Sequence, residues 1–165
     1  MSTITLKGKT IHTSGNLPVV GTRAPSFSLT GRDLQDHSLA EFSGQRIILN
    51  IFPSLDTPVC ATSVRTFNAR ASSLSNAVVL AVSRDLPFAH NRFCTTEGIE
   101  HVFALSEMRN RDFGRDYGVE IVDGPMAGLL ARAVVVLDEN GTVIHAELVS
   151  EIAQEPDYDK ALAAL

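Results

Sequence analysis

The 165-residue chain has only two cysteines, Cys60 and Cys94, too few for a disulfide scaffold. A chain of this length buries its own core without staples. It also lacks an excess of basic charge: 14 Lys and Arg stand against 19 Asp and Glu, a formal net charge of -5. That excludes the basic stripe expected of a nucleic-acid binder. There is no run of like charges, hence no polybasic or acidic tail. No apolar stretch reaches the length of a membrane span. The opening Met1-Ser2-Thr3-Ile4-Thr5-Leu6-Lys7 has neither the apolar segment nor the cleavage site of a secretory signal, so a cytoplasmic location is expected, with periplasmic export left open. No internal repeat, Cys-x-x-Cys pair, glycine-rich dinucleotide loop or phosphate-binding loop occurs.

What is present is a globular composition, 44% apolar and 20% charged, with alternating strand and helix patterns. Residues 1–15 read as an N-terminal hairpin: Thr3 to Leu6, a Lys7-Gly8-Lys9 turn, then Thr10 to Thr13. Near-continuous apolar runs at Arg46 to Phe52, Ala77 to Ser83 and Ala133 to Leu137 predict strands buried on both faces. The last runs through Asn140-Gly141 into an antiparallel partner at Thr142 to Val149. Shorter strands are expected near Phe27 to Leu29 and His101 to Leu105, and one helical turn over Ser38 to Phe42. Helices are expected from Pro58, over Pro87 to Glu97, over Arg109 to Tyr117, and from Pro156-Asp157 to the end. The order predicts one α/β domain over residues 1–165, with a mixed central sheet, flanking helices and the hairpin as an extension. It is compatible with a thioredoxin-like fold.

The chemistry concentrates at Cys60. A buried strand ends at Phe52 and a helix begins at Pro58, which makes Thr57 the N-cap and puts Cys60 in the first turn. Unpaired backbone N–H groups and the positive end of the helix dipole favour a thiolate there. The competing reading is a small buried hydrophobe. The Thr57 hydroxyl is expected to cap the helix and to face the thiolate. Arg132, at the start of an apolar strand, is either a strand-end cation with its head in solvent or a fixed positive charge aimed at chemistry. Arg65 and Arg70, further along the Cys60 helix, read as structural or solvent-facing. Cys94 falls inside the second helix with His90 one turn before it. That spacing can bind zinc, with Cys60 a conceivable third ligand, although no second Cys/His pair accompanies it. The remaining histidines read as polar surface.

Pro53-x-x-x-Thr57-x-x-Cys60 resembles the active-site pattern of the peroxiredoxins, and the run Phe52 to Cys60 resembles their bacterial thiol peroxidase subgroup. Ser83-Arg84-Asp85-Leu86-Pro87-Phe88-Ala89, Arg92-Phe93-Cys94, Asp123-Gly124-Pro125, Ala131 to Asn140 and Glu155-Pro156-Asp157-Tyr158 extend the likeness over the chain. The resemblance implies a catalytic set and its roles. Cys60 is the peroxidatic cysteine and Cys94 the resolving cysteine, joined on oxidation as a Cys60–Cys94 disulfide. Thr57 holds the thiolate and the peroxide oxygen, Arg132 completes the pocket, Pro53 shields the oxidised sulfur, and the three together form the substrate-binding set. It implies hydroperoxide substrates, thioredoxin as reductant, a homodimer, and no cofactor or metal. Because the two thiols sit in separate helices, disulfide formation is expected to need local unwinding. A peroxide-sensing relay would use the same thiols, and sequence does not separate the two uses.

Overall fold

The computed structural model describes residues 1–165. Strands β1 (Thr3–Leu6) and β2 (Lys9–His12) form the N-terminal hairpin. Its turn is Lys7-Gly8, both at positive φ, so Lys9 joins the strand rather than the turn. The main sheet has seven strands: β3 (Ser28–Gly31), β4 (Asp36–Ser38), β5 (Arg46–Ile51), β6 (Ala77–Ser83), β7 (Val102–Ser106), β8 (Ala133–Leu137) and β9 (Val143–Leu148). They lie in the order β4-β3-β7-β6-β5-β8-β9. The central β7-β6-β5 pairs are parallel and the outer pairs antiparallel, so the expected mixed sheet is present. Helices are α1 (Pro58–Ala71), α2 (Pro87–Glu97), α3 (Asp112–Asp116) and α4 (Tyr158–Ala163). None is long and apolar enough to cross a membrane.

The buried strands divide the core in two by simple alternation. Ile47, Leu49 and Ile51 of β5, with Ala133, Val135 and Leu137 of β8, face a cluster that includes Ile4 and Ile11 of the hairpin and Phe113. Ile48 of β5 and Val134 and Val136 of β8 face the opposite side, where Cys60, Val64 and Phe67 of α1, Phe93 and Cys94 of α2, and Ala161 of α4 pack. A period of two assigns each residue its face. Removing such fully covered side chains from water contributes about 1.5–3 kcal/mol each, which holds α1 and α2 to the sheet.

Local chemistry sets the boundaries. Pro58 and Pro87 open their helices, and Gly98, at φ 65, ends α2 in the left-handed conformation that glycine tolerates. Asp157 caps α4 by accepting from the Lys160 amide. Three expectations shift. Strand β4 is additional, and the turn after it is a 3-10 turn over Leu39–Phe42. The helix from Pro58, whose apolar face is expected to run through Val64, Phe67 and Ala71 to Leu74, ends at Ala71. The helix expected over Arg109 to Tyr117 shortens to one turn. There Asn110 accepts the Asp112 amide, and Arg109 reaches away to the Leu34 carbonyl and Asp36.

Candidate active site

Strand β5 delivers the chain to a loop over residues 52–57, and α1 leaves from it. Cys60 is the third residue of α1 and has no exposed surface. Pro58 has no amide hydrogen, and the amides of Val59 and Cys60 lie before the first intrahelical bond, that of Ala61 to Thr57 O. The sulfur therefore sits at the positive end of a 14-residue helix.

Arg132 immediately precedes β8 and shares the parity of Val134 and Val136, so it projects to the α1 side of the sheet. It is 2% exposed. Its Nη2 donates to Cys60 Sγ at 3.2 Å, and its Nε donates to the Ile152 carbonyl at 2.8 Å. The solvent-facing alternative for Arg132 is excluded. The third nitrogen, Nη1, is buried without a protein partner. Ile152 is itself fixed by the hairpin, since its amide donates to Thr5 O at 2.9 Å. Glu151 beside it accepts Thr5 Oγ1 and the amides of Lys7 and Gly8, which hold its carboxyl down at about 2. The N-terminal hairpin thus anchors the carbonyl that orients Arg132.

Thr57 is the N-cap, but its hydroxyl does not cap. It donates to the Ser54 carbonyl at 2.9 Å, three residues back, and tightens the loop instead. Cys60 Sγ has Arg132 as its one polar partner, so the expected contact with the Thr57 hydroxyl is not formed either. Pro53 is buried at the start of this loop. Beneath the helix turn, Ser63 Oγ donates to the Cys60 carbonyl at 2.8 Å and Asn50 donates to Ser63 at 3.2 Å.

Cys94 lies on the buried face of α2, in the same apolar cluster as Cys60, and both are free thiols. Burial pushes the Cys94 thiol up, against the pull of the Arg32 guanidinium. Arg32 is held by Asn91 of α2 at 2.9 Å. Arg65 of α1 grips Glu97 of α2 through two bonds at 2.8 and 3.0 Å, and Arg70 pairs with Asp159, so both arginines are structural. His90 is fully buried and turns Nε2 toward Ser83 at 2.9 Å, not toward either cysteine.

Asp85, to which the sequence pattern gives no role, gathers one group of residues around the Cys60 loop. Asp85, just beyond β6, accepts Ser54 Oγ and the Leu55 amide, each at 2.9 Å, and Ser83 Oγ at 2.6 Å. Parallel neighbours β5 and β6 place their carboxyl ends side by side, where α/β sheets gather functional groups. A Ser-x-Asp step at the end of the second strand was the available signal.

A model of the Redoxin family matches residues 19–162. A protein of Mycobacterium tuberculosis named thiol peroxidase is 61% identical over 165 residues, covering 100% of this chain and 99% of that one. The crystal structure of a peroxiredoxin-like protein from Aquifex aeolicus superposes with a TM-score of 0.92 at 38% identity, over 100% of this chain and 98% of that one. A thiol peroxidase from Chromobacterium violaceum gives a TM-score of 0.91 over 99% of this chain and 95% of that one. At 22% identity it is a likeness of fold alone.

Proposed function

The chain belongs to the Redoxin family with a thioredoxin-like fold, and we propose that it is a thiol peroxidase of the atypical two-cysteine kind. The observation that carries this reading is the buried Arg132 guanidinium on the Cys60 sulfur. A fixed cation at a helix start stabilises a thiolate, and a thiolate is the form that attacks peroxide.

In the proposed cycle the Cys60 thiolate attacks one peroxide oxygen and the O–O bond breaks. The sulfur loses two electrons and becomes a sulfenic acid. The other oxygen leaves with the electron pair, takes a proton and departs as water or alcohol. Negative charge moves from sulfur to the leaving oxygen, so a preorganised donor beside both lowers the barrier. Arg132 Nη2 serves the sulfur, and we assign its unpartnered Nη1 to the peroxide. Thr57 is assigned to substrate binding, which needs its hydroxyl to turn from Ser54 O. Pro53 is assigned to shielding the sulfenic acid.

Cys94 is the proposed resolving thiol. Its sulfur attacks the Cys60 sulfenic sulfur, an S–S bond forms and water leaves. Both cysteines sit in intact helices, which supports the expectation of local unwinding before they meet. Thioredoxin, the proposed reductant, returns two electrons. Hydrogen peroxide and organic hydroperoxides are the proposed substrates. Apolar Leu55 and Val59 beside the site fit the organic ones. The reading further includes one domain over residues 1–165, a homodimer and a reducing, cytoplasmic location. A thioredoxin-coupled assay across several hydroperoxides tests it. Sustained turnover supports the enzyme, whereas stoichiometric oxidation without turnover makes the protein a redox relay instead.

A further inference from the structure

The loop that carries Thr57 into Cys60 is held from outside its own helix. Thr57 leans on the Ser54 carbonyl, and Ser54 and Leu55 lean on Asp85: Oδ1 accepts Ser54 Oγ and Oδ2 accepts the Leu55 amide, both at 2.9 Å. The same Oδ2 accepts Ser83 Oγ at 2.6 Å. A hydroxyl has one proton, and this short bond to a carboxylate takes it. His90 Nε2, 2.9 Å from Ser83 Oγ, must then be the protonated ring nitrogen and donate to Ser83. His90 Nδ1 is left buried and unpartnered, as the acceptor nitrogen of a neutral ring. The bonds converge on Asp85: from His90 through Ser83 on one side, and from Ser54 Oγ and the Leu55 amide of the loop on the other. His90 belongs to α2, one turn before Cys94.

We propose that Asp85 is a positioning residue for the peroxide step and that, through Ser83 and His90, it ties the geometry at Cys60 to the docking of the helix that carries Cys94. Resting on the two-cysteine reading above, this gives the site two settings. With α2 docked, His90 holds the Ser83 hydroxyl, Ser83 and the loop share the Asp85 carboxylate, and Cys60 is presented to peroxide. When α2 undocks to bring Cys94 to Cys60, the His90 bond is lost and the loop is freed to move with it. Oxidation favours the docked setting and resolution the undocked one.

Opposite effects on the two steps are therefore expected. Sulfenic acid formation is followed by rapid mixing with hydrogen peroxide in a Cys94→Ser background, and disulfide formation by quenching the chain that keeps both cysteines. Asp85→Asn removes the charge behind the three bonds that Asp85 accepts, and one of its two acceptor oxygens, and slows the first step about tenfold. The same change speeds the second step about threefold, because α2 is less firmly held. Ser83→Ala removes the hydroxyl that joins His90 to Asp85, leaves the Asp85 bonds to Ser54 and Leu55, and speeds the second step. Ser54→Ala removes one surface-proximal bond and slows the first, which keeps the test alive should Asp85→Asn not fold. A role confined to stability lowers both rates together. That result overturns the inference, as does a first step that does not slow or a second that does not quicken. An unsubstituted chain that never forms the Cys60–Cys94 disulfide overturns the parent reading, and this one with it. Disulfide formation in that chain with variant rates that fall together overturns this inference alone.

Discussion

Arg132 and Cys60 stand 72 positions apart in the chain, yet the guanidinium donates to the sulfur at 3.2 Å with both side chains buried. The arginine fork makes two bonds, to the sulfur and to the Ile152 carbonyl, and holds its third nitrogen unpartnered. Lysine supplies the charge as a point and cannot reproduce that fork. Arg132→Lys is expected to lower kcat/KM for peroxide by about 100-fold while the far-ultraviolet spectrum is retained. Activity within a few fold of the parent would remove Arg132 from the chemistry.

Cys60→Ser should eliminate thioredoxin-coupled peroxide consumption. A serine hydroxyl is not ionised beside Arg132 at neutral pH and does not accept a peroxide oxygen as sulfur does. Residual turnover above the uncatalysed rate would refute the central assignment.

Cys94→Ser should reduce one equivalent of peroxide and then stall with thioredoxin as donor. Mass spectrometry after peroxide treatment is expected to find Cys60 as the sulfenic acid or its further oxidation products. Undiminished recycling in this variant would take Cys94 out of the cycle.

His90 gives the protein a defined acid sensitivity. Burial pushes the imidazole from 6.5 down to about 4, with Arg32 adding to the depression and Asp85 opposing it. Between those two values the unfolded chain binds a proton that the folded chain does not, so stability falls as pH falls through that window. The full loss is about 3 kcal/mol. His37 acts with the opposite sign. Its bonds to Asp33 and Glu41 outweigh burial and raise it, so its contribution is present at acid pH and fades as pH rises. Urea unfolding at pH 7 and pH 4.5, with and without His90→Gln, isolates the buried ring. The parent should lose more stability on acidification than the variant, and parallel losses would contradict the assignment.

Glu107 and Arg84 form a buried ion pair at 2.7 Å, and Glu107 also accepts the Gly114 amide at 2.7 Å. Arg84 additionally bonds Glu120 and the Gly128 carbonyl. Glu107→Ala leaves a buried guanidinium short of its closest counter-charge and should cost about 3–5 kcal/mol. Denaturant unfolding measures this directly, and a loss under about 1 kcal/mol would show that Glu120 compensates.

Much of the architecture was legible because its signals are local. Ala77–Ser83 and Ala133–Leu137 announce buried strands by unbroken apolar runs, and Pro87 and Gly98 bracket α2 by backbone restriction alone. β4 was missed because Asp36-His37-Ser38 carries no apolar period, and its pairing comes from β3. The Arg109 to Tyr117 segment looked like a longer helix because Arg109 has the propensity. A tertiary bond to Asp36 overrides it. The position of Cys60 at a helix start could be read from Pro58, but the Thr57 hydroxyl could not. Capping and bonding to Ser54 are both within its reach, and loop geometry chooses.

By itself the sequence determined which residues are apolar, where α1 and α2 begin, and therefore that one thiol sits at a helix N-terminus. Those are properties of neighbouring residues and their backbone preferences. Only the tertiary structure decided which side of the sheet Arg132 faces, that the hairpin holds Ile152 for it, and that Asp85 joins the Cys60 loop to the Cys94 helix. Apart from the short Ser83 links, those bonds join residues from 20 to 147 positions apart in the chain. Their directions exist only once seven strands have fixed their order and register.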